Sequence, residues 1–502
     1  MKNVLLNRPV ILIVLLAFFL EAFAGETQDA TLAKPNIVVF YVDDMGYGDL
    51  GVYGNPRAHT PNLDKMAAEG VRFTEFYSPS ALCSPSRAGL LTGRYPVRYG
   101  MAHDVFYPGS EAGLPPEEIT LAEMLKPAGY RSGFFGKWHL GHQQPFLPLQ
   151  QGFDEFNGTP FSNDMSVNAR YEGNEIVDFD PDQRQFTRLF TEAAIDFIGR
   201  HRDQPFFVLV AHPMPHVPLY TSPEFENATG EGLYADVVSE IDWSVGQVRG
   251  ALERLGLGER TFVLFASDNG PWLQFAAHGG SAGALRGGKN TTFEVGQRVP
   301  AIAVWPGRID PGRVQSGVIT GLDLFPTLAN WAGQDLPAGR PVDGQDMSHL
   351  ILDDGDFPEE RTFAYFAHGR LQALRIGDWK IKRRRPPYLP EWLEIGWPGA
   401  FPAHEWMLFN LARDPGETTD LSARNPLRFQ WMKFKLKYFP ANLEPIAPPM
   451  NTGRGEDEPT PELKNARAPR NISGEYQGRV LAACFRYVED NPGEKCPARL
   501  LD

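Results

Sequence analysis

The chain has 502 residues, with 48 Lys+Arg against 62 Asp+Glu and a formal net charge of −14. Apolar residues make up 42% and charged residues 22%, which excludes disorder and collagen-like repeats and leaves room for two or three domains of ~150 residues. The acidic balance argues against broad nucleic-acid binding, and the three cysteines, Cys83, Cys484 and Cys496, are too few for a disulfide scaffold or a four-cysteine zinc site.

In chain order, Lys2 and Arg8 form a positive start, Pro9–Leu20 is an uncharged apolar run, and Ala22-Phe23-Ala24 offers small residues for cleavage. Residues 1–24 therefore read as an export signal, the run being shorter than the ~20 residues of a membrane span; an uncleaved anchor is the alternative. No other segment could cross a bilayer. The mature protein is expected in an exported compartment (periplasmic, secreted or lysosomal-type), where Cys484 and Cys496 could pair.

Ile37–Val42, Phe206–Ala211, Thr261–Ala266 and Val299–Trp305 are short runs suited to strands covered on both faces. Between them, Thr60–Glu69, Thr120–Ala128 and Leu233–Leu255 read as helices, the first with Thr60 as cap, Pro61 at its first turn and Gly70 beyond its end. Strand and helix in alternation predict a doubly wound α/β domain over 25–360. From Arg361 the pattern changes. Thr362–Ala367, Leu371–Ile376 and Asp378–Arg383 predict an antiparallel meander in a smaller α+β domain, 361–502, with Pro445–Pro469 as an extended surface crossing.

Two predicted strands end in acids or amides: Ile37–Val42 runs into Asp43-Asp44, and Thr261–Ser267 into Asp268-Asn269-Gly270. Ligands of open α/β sheets sit beyond such ends. Adjacent buried acids repel and call for a cation, and an all-oxygen set favours Ca²⁺ or Mg²⁺. Singly, each pair reads more readily as turn or cap residues, but two such pairs on two strand ends weigh against that. In Cys83-Ser84-Pro85-Ser86-Arg87, Ser84-Pro85 reads as N-cap and first helical residue, placing Cys83 at a helix mouth with Arg87 one turn on. That cysteine is either a buried small hydrophobe or a nucleophile or its precursor.

Cys83-x-Pro85-Ser86-Arg87 resembles the signature of the type I sulfatases, in which the cysteine becomes formylglycine (3-oxoalanine). Gly129-Tyr-Arg-Ser-Gly-Phe-Phe-Gly-Lys137-Trp-His139-Leu-Gly141 resembles the second signature of that family, with Phe135 bulkier than expected. Ser267-Asp-Asn-Gly270, Gly288-Lys289-Asn-Thr-Thr-Phe-Glu294 and Leu408-Phe-Asn-Leu411…Asp414-Pro-Gly-Glu417 follow in family order. Gly152-Phe-Asp and His216-Val-Pro are similar to the branch that holds arylsulfatase A and N-acetylgalactosamine-6-sulfatase.

The resemblance implies an alkaline-phosphatase-like sulfatase fold: a large mixed sheet flanked by helices, plus a smaller C-terminal antiparallel domain. It implies a sulfuric ester hydrolase acting on a sulfated sugar or aryl compound. Asp43, Asp44, Asp268, Asn269 and the modified Cys83 would hold one divalent cation, Ca²⁺ or Mg²⁺. Arg87, Lys137 and His139 would surround the formylglycine hydrate, and His216 and Lys289 would grip the sulfate and serve the leaving group, with Ser162 near the sulfate. One hydroxyl of an aldehyde hydrate can attack sulfur, and loss of the proton from the other, to His139, can expel sulfate. A formylglycine-generating enzyme is the implied maturation partner, nucleic acid is not a partner, and a homo-oligomer is compatible with the sequence. The alternatives are a phosphonate or phosphate monoester hydrolase on the same scaffold and a non-catalytic, metal-dependent glycan-binding relative.

Asn157, Asn227, Asn290 and Asn471 lie in glycosylation sequons to which no role is given. A basic run, Lys380, Lys382, Arg383, Arg384 and Arg385, stands out in an acidic chain. In strand geometry Lys380, Lys382 and Arg384 share a face, expected either at the pocket mouth, steering a sulfated oligosaccharide, or on a solvated edge strand.

Overall fold

Residues 34–165, 167–353, 361–384, 406–443 and 446–453 are described by a computed structural model. The export signal, Arg385, Asn471, Cys484, Cys496 and most of the expected crossing lie outside these residues. In the first strand, β1 (Asn36–Val42), every residue is buried, and alternate side chains serve different cores. Ile37, Val39 and Tyr41 join one cluster, Val38, Phe40 and Val42 the other. An uninterrupted apolar run with period-two alternation does this when helices cover both faces of a sheet. The helices Pro61–Glu69, Phe186–Arg200 and Leu233–Arg254 seal one face. Cys83–Thr92, Leu121–Leu125 and Leu324–Trp331 seal the other.

The remaining strands of this sheet are β2 (Val71–Tyr77), β3 (Arg131–Lys137), β4 (Glu155–Thr159), β5 (Arg170–Glu172), β6 (Glu175–Asp178), β7 (Phe206–Ala211), β8 (Thr261–Ser267), β9 (Arg298–Val304), β10 (Arg313–Gln315) and β11 (Ile319–Thr320). Among the described residues they form an 11-stranded sheet in the order β10-β2-β9-β8-β1-β7-β3-β4-β5-β6, with β11 beside β2. The centre, β8-β1-β7-β3, is parallel. β9 runs antiparallel to both neighbours, which makes the sheet mixed. Four strands thus end at one carboxyl edge: β1 before Asp43, β8 before Asp268, β3 at Lys137 and β7 before the loop to His216. Phe135 fills space between β3 and the Phe186–Arg200 helix, its ring 5.8 Å from that of Phe197.

A second sheet of four antiparallel strands holds β12 (Thr362–Ala367), β13 (Arg370–Ile376), β14 (Trp379–Arg383) and β15 (Trp406–Asn410), in that order. The Pro426–Tyr438 helix buries Met432 against it, with Phe429 and Leu436 packed alongside. Both sheets belong to one compact unit that begins at Pro35. Of the expected surface crossing, 446–453 runs beside the loop before Ser110, where Tyr107 N donates to Thr452 O at 2.9 Å and Met450 N to Gly100 O at 3.1 Å. Among the described residues no helix is long and apolar enough to cross a membrane.

Candidate active site

Parallel register sets the first constellation. Val42 pairs with Ser267, so Asp43-Asp44 and Asp268-Asn269 leave adjacent strands at the same level. Asp44 N donates to Asp268 Oδ1 at 3.2 Å, and Asn269 Nδ2 donates to Asp44 Oδ1 at 2.6 Å. Gly270 is required by close approach: a Cβ there would lie 1.6 Å from Val295 O. Asp44 holds φ of 63° and His139 of 60°, a left-handed backbone that non-glycine residues adopt chiefly where surrounding structure enforces it.

The Cys83–Thr92 helix points its first turn at this cluster. Sequence patterning placed Ser84 and Pro85 as cap and first residue, but the helix begins at Cys83 with Leu82 as N-cap. Pro85 is the third helical residue, where an amide has no helical partner to lose. The Ser84 hydroxyl is engaged instead by Phe106 N, which donates to it at 3.2 Å. Cys83 Sγ lies 3.2 Å from Asp43 Oδ1. Ligand atoms of Asp43, Asp44, Cys83 and Asp268 all fall within 4.8 Å of one another, and Asn269 Oδ1 is buried without a partner among the described residues. The oxygen donors of Asp43, Asp44, Asp268 and Asn269 fit a hard divalent cation, whereas the Cys83 sulfur as it stands does not.

Cations interleave with these acids. Arg87 Nε donates to Asp268 Oδ2 at 3.0 Å, and its NH1 donates to Lys137 O at 2.8 Å. Lys137 Nζ donates to Asp43 Oδ2, and to Ser162 Oγ at 3.0 Å. Ser162 Oγ lies 3.2 Å from His216 Nε2. Lys289 Nζ donates to Asp44 Oδ2 at 2.8 Å and sits 4.3 Å from the centre of the Trp272 ring. Trp272 also lies 5.3 Å from the His216 ring. Sequence patterning gave it no role, although it stands two residues past Gly270. His139 Nε2 is 3.1 Å from Phe106 O, while its buried Nδ1 has no partner among the described residues.

The electrostatics follow from burial first. Burial raises the Asp43 carboxyl, but Lys137, with His216, Arg87 and Lys289, overrides it and holds the group well below its usual range. Burial pushes Asp44 up to about 6 against the pull of Lys289, with Asp43 adding repulsion. Asp268 rises to about 7 through burial and the Asp43 charge. Burial, with Lys137 or Lys289 adding repulsion, holds His139 and His216 well below the ordinary histidine value.

His212 marks the limit of the site. It follows β7, is fully buried, and bonds Ser244 Oγ through Nε2 at 2.8 Å. Burial lowers its pKa to about 3. With an unfolded value near 6.5, the native state keeps it neutral, so its contribution is full above pH 6.5 and is lost as pH falls towards 3. By pH 5 that loss is about 2 kcal/mol. His212→Asn is expected to destabilise the protein at pH 7 yet flatten the fall in stability between pH 7 and 5, read by denaturant titration. An unchanged slope would contradict this.

Lys380 and Lys382 require a correction. They do share a face of β14, but neither lines a pocket mouth nor sits on a solvated edge, because β15 pairs along the outer side of β14. Both are 0% exposed. Lys380 Nζ lies 2.9 Å from Glu294 Oε1 and 2.9 Å from Glu417 Oε1. Lys382 Nζ lies 4.1 Å from the centre of the Phe293 ring, with Arg286 over the same ring at 4.0 Å. Of the three residues expected on this face, Arg384 is the exposed one, paired with Asp420 at 2.5 Å. Glu417 accepts from Glu294 N at 2.6 Å through its carboxylate and from Arg286 NH1 at 3.0 Å through its carbonyl. It thereby clasps both ends of the loop that carries Lys289.

Comparison with known proteins agrees with this arrangement. A family model described as Sulfatase matches residues 35–334. Human arylsulfatase A is 38% identical over 477 residues, covering 85% of this chain and 92% of the relative. Dog (Canis lupus familiaris) N-acetylgalactosamine-6-sulfatase is 42% identical over 372 residues, covering 69% and 71%. The crystal structure of the PsFucS1 sulfatase from Pseudoalteromonas sp. superposes with a TM-score of 0.74 at 28% identity, over 88% of this chain and 96% of that one. The mixed sheet with its small antiparallel companion is the alkaline-phosphatase-like architecture of these hydrolases. The chain belongs to the sulfatase family and is a sulfuric ester hydrolase.

Proposed function

We propose that the chain cleaves sulfate monoesters of a sulfated sugar or aryl compound at a formylglycine made from Cys83 by a formylglycine-generating enzyme. The observation that carries this reading is Cys83 on the first turn of a buried helix, its Sγ 3.2 Å from Asp43 and within one donor cluster with Asp44 and Asp268. Asp43, Asp44, Asp268, Asn269 and the modified residue would hold one Ca²⁺ or Mg²⁺, which supplies positive charge to the sulfuryl oxygens. The formylglycine hydrate supplies a hydroxyl nucleophile and a second hydroxyl whose deprotonation releases sulfate.

The chain's own residues do the rest. Three carboxylates, Asp43, Asp44 and Asp268, face three cations, Arg87, Lys137 and Lys289. The protein groups therefore balance, and a divalent ion leaves the surplus positive charge that a sulfate ester anion requires. Arg87 and Lys137 orient the nucleophile. With Nε2–H donated to Phe106 O, the lone pair of His139 is on Nδ1, where it can take a proton. His216 Nδ1 donates to Val217 O, which leaves the Nε2 lone pair facing Ser162; Lys289 Nζ, or Nε2 once it has gained a proton, serves the departing alcohol. Residues 1–24 as an export signal, an exported location, and the division at 360/361 into catalytic and smaller domains complete the proposal.

Peptide mass spectrometry of protein matured in a competent host should show Cys83 as an aldehyde, and released sulfate should exceed released phosphate on paired aryl esters. Preference for the phosphate or phosphonate ester would instead favour the rival hydrolase. Exhaustive chelation is expected to abolish turnover and lower the melting temperature, because a ligand at ~1,000 times its Kd stabilises by about 4 kcal/mol. Ca²⁺ or Mg²⁺ should restore both, and Asp43→Asn should lose the metal-dependent increment. Melting indifferent to chelation would remove the cation from the proposal.

A further inference from the structure

The Pro426–Tyr438 helix turns a basic, aromatic face outward. Its coherent apolar side, Phe429, Met432 and Leu436, is spent on the small sheet. On the opposite side Leu427 is 87% exposed, Phe434 60% and Tyr438 52%, with the Phe434 and Tyr438 rings 4.7 Å apart. Between Ser422 and Leu443 the sequence has five cations, Arg424, Arg428, Lys433, Lys435 and Lys437, and no acid, within a chain of net charge −14. Among the described residues, Arg428, Lys433, Lys435 and Lys437 pair with no carboxylate; each lies over an aromatic ring. Arg428 lies 5.4 Å from the Trp379 ring centre and 5.3 Å from that of Trp431, and Lys435 lies 5.2 Å from Trp431. Lys433 is 5.5 Å from Phe429, and Lys437 5.3 Å from Tyr438.

We infer that this face is an ancillary docking surface for a sulfated polysaccharide, separate from the Cys83 centre; the inference rests on the sulfate-ester reading above. Such a polymer presents both chemistries the face offers: apolar sugar faces for the exposed rings, and a row of sulfates for the ammonium and guanidinium groups. An acidic protein repels a polyanion on average, so a local excess of five cations decides where the chain can lie. A second copy of this helix would bring four cations against four. A membrane-surface helix needs a broad apolar face, whereas the outward apolar stripe here is narrow, Leu427, Phe434 and Tyr438 between two flanks of cations. The helix is about 20 Å long, which allows several contacts to one polymer strand.

The test uses the full, matured protein with dextran sulfate, uncharged dextran, and vesicles containing phosphatidylglycerol as binding probes. The parent should bind dextran sulfate, more tightly at low salt, and ignore dextran. Arg428→Gln, Lys433→Gln, Lys435→Gln and Lys437→Gln together should weaken that binding by about tenfold or more and flatten its salt dependence. The same variant should keep kcat/KM on a small aryl sulfate within about twofold. Phe434→Ala with Tyr438→Ala should weaken polymer binding with the salt dependence retained. If the fourfold variant misfolds, the pairs Arg428→Gln/Lys433→Gln and Lys435→Gln/Lys437→Gln should each show part of the loss. Parental binding of dextran sulfate by these variants overturns the inference, as does tighter binding to vesicles than to dextran sulfate. Inactivity of the parent on aryl sulfate would strike the sulfatase chemistry instead, which the binding assay does not depend on.

Discussion

Cys83→Ala is expected to lower turnover of an aryl sulfate by at least about four orders of magnitude while the protein still folds. Removal of a covalent nucleophile leaves only binding and electrostatic stabilisation, which cannot replace a bond-forming group. The structural cost is small by comparison. Cys83 is buried, but its side chain is short, and its contact in the cluster is the 3.2 Å approach to Asp43. Melting should therefore shift little, which separates chemistry from folding. Cys83→Ser sharpens the test: a serine could accept the sulfuryl group but has no second hydroxyl to expel it, so release of the aryl alcohol should stop at one equivalent, with the sulfate retained on the enzyme. Sustained turnover by an unmodified thiol or a serine would end the formylglycine proposal.

Lys380→Met is expected to destabilise the protein by about 3–5 kcal/mol, although Lys380 stands far outside the reacting groups in sequence pattern. The reason is what it leaves behind. Glu294 and Glu417 are both fully buried and share this one ammonium. Burial raises Glu417 to about 7 even with Lys380 present, whereas Lys380, with Arg298 and Arg375, outweighs burial and holds Glu294 at about 2. Without the lysine two buried carboxyls face each other. Glu417→Gln in the Lys380→Met background should recover part of the loss, because it replaces a buried carboxyl that must otherwise take up a proton or face Glu294 as a charge. Denaturant titration of the four proteins of this cycle reads the coupling directly. A change under about 1 kcal/mol for Lys380→Met, or no rescue, would mean that the contact is incidental. Loosening should also reach the Lys289 loop, whose ends Glu417 holds through Arg286 and the Glu294 amide.

The sequence determined much of this protein because its signals were local. Apolar runs of seven or fewer residues predict strands that the structure draws within a residue or two, and the acids that follow β1 and β8 were legible as a strand-end site. Cys83, Arg87, Lys137, His139, Ser162, His216 and Lys289 were legible through resemblance, and the fold gathers them at one sheet edge. Other features were decided only by tertiary structure, because they depend on partners remote in the chain. The helix starts at Cys83 rather than after Ser84, and the Ser84 hydroxyl that sequence patterning made a cap instead accepts from Phe106 N, 22 residues away. Trp272 acquires its place beside Lys289 and His216 only when three loops converge. Alternation in β14 correctly put Lys380 and Lys382 on one face, but it could not say what that face meets. β15 pairs beyond it, Glu294 and Glu417 arrive from separate segments, and a stripe of charge that in isolation belongs in water becomes the buried joint between two sheets.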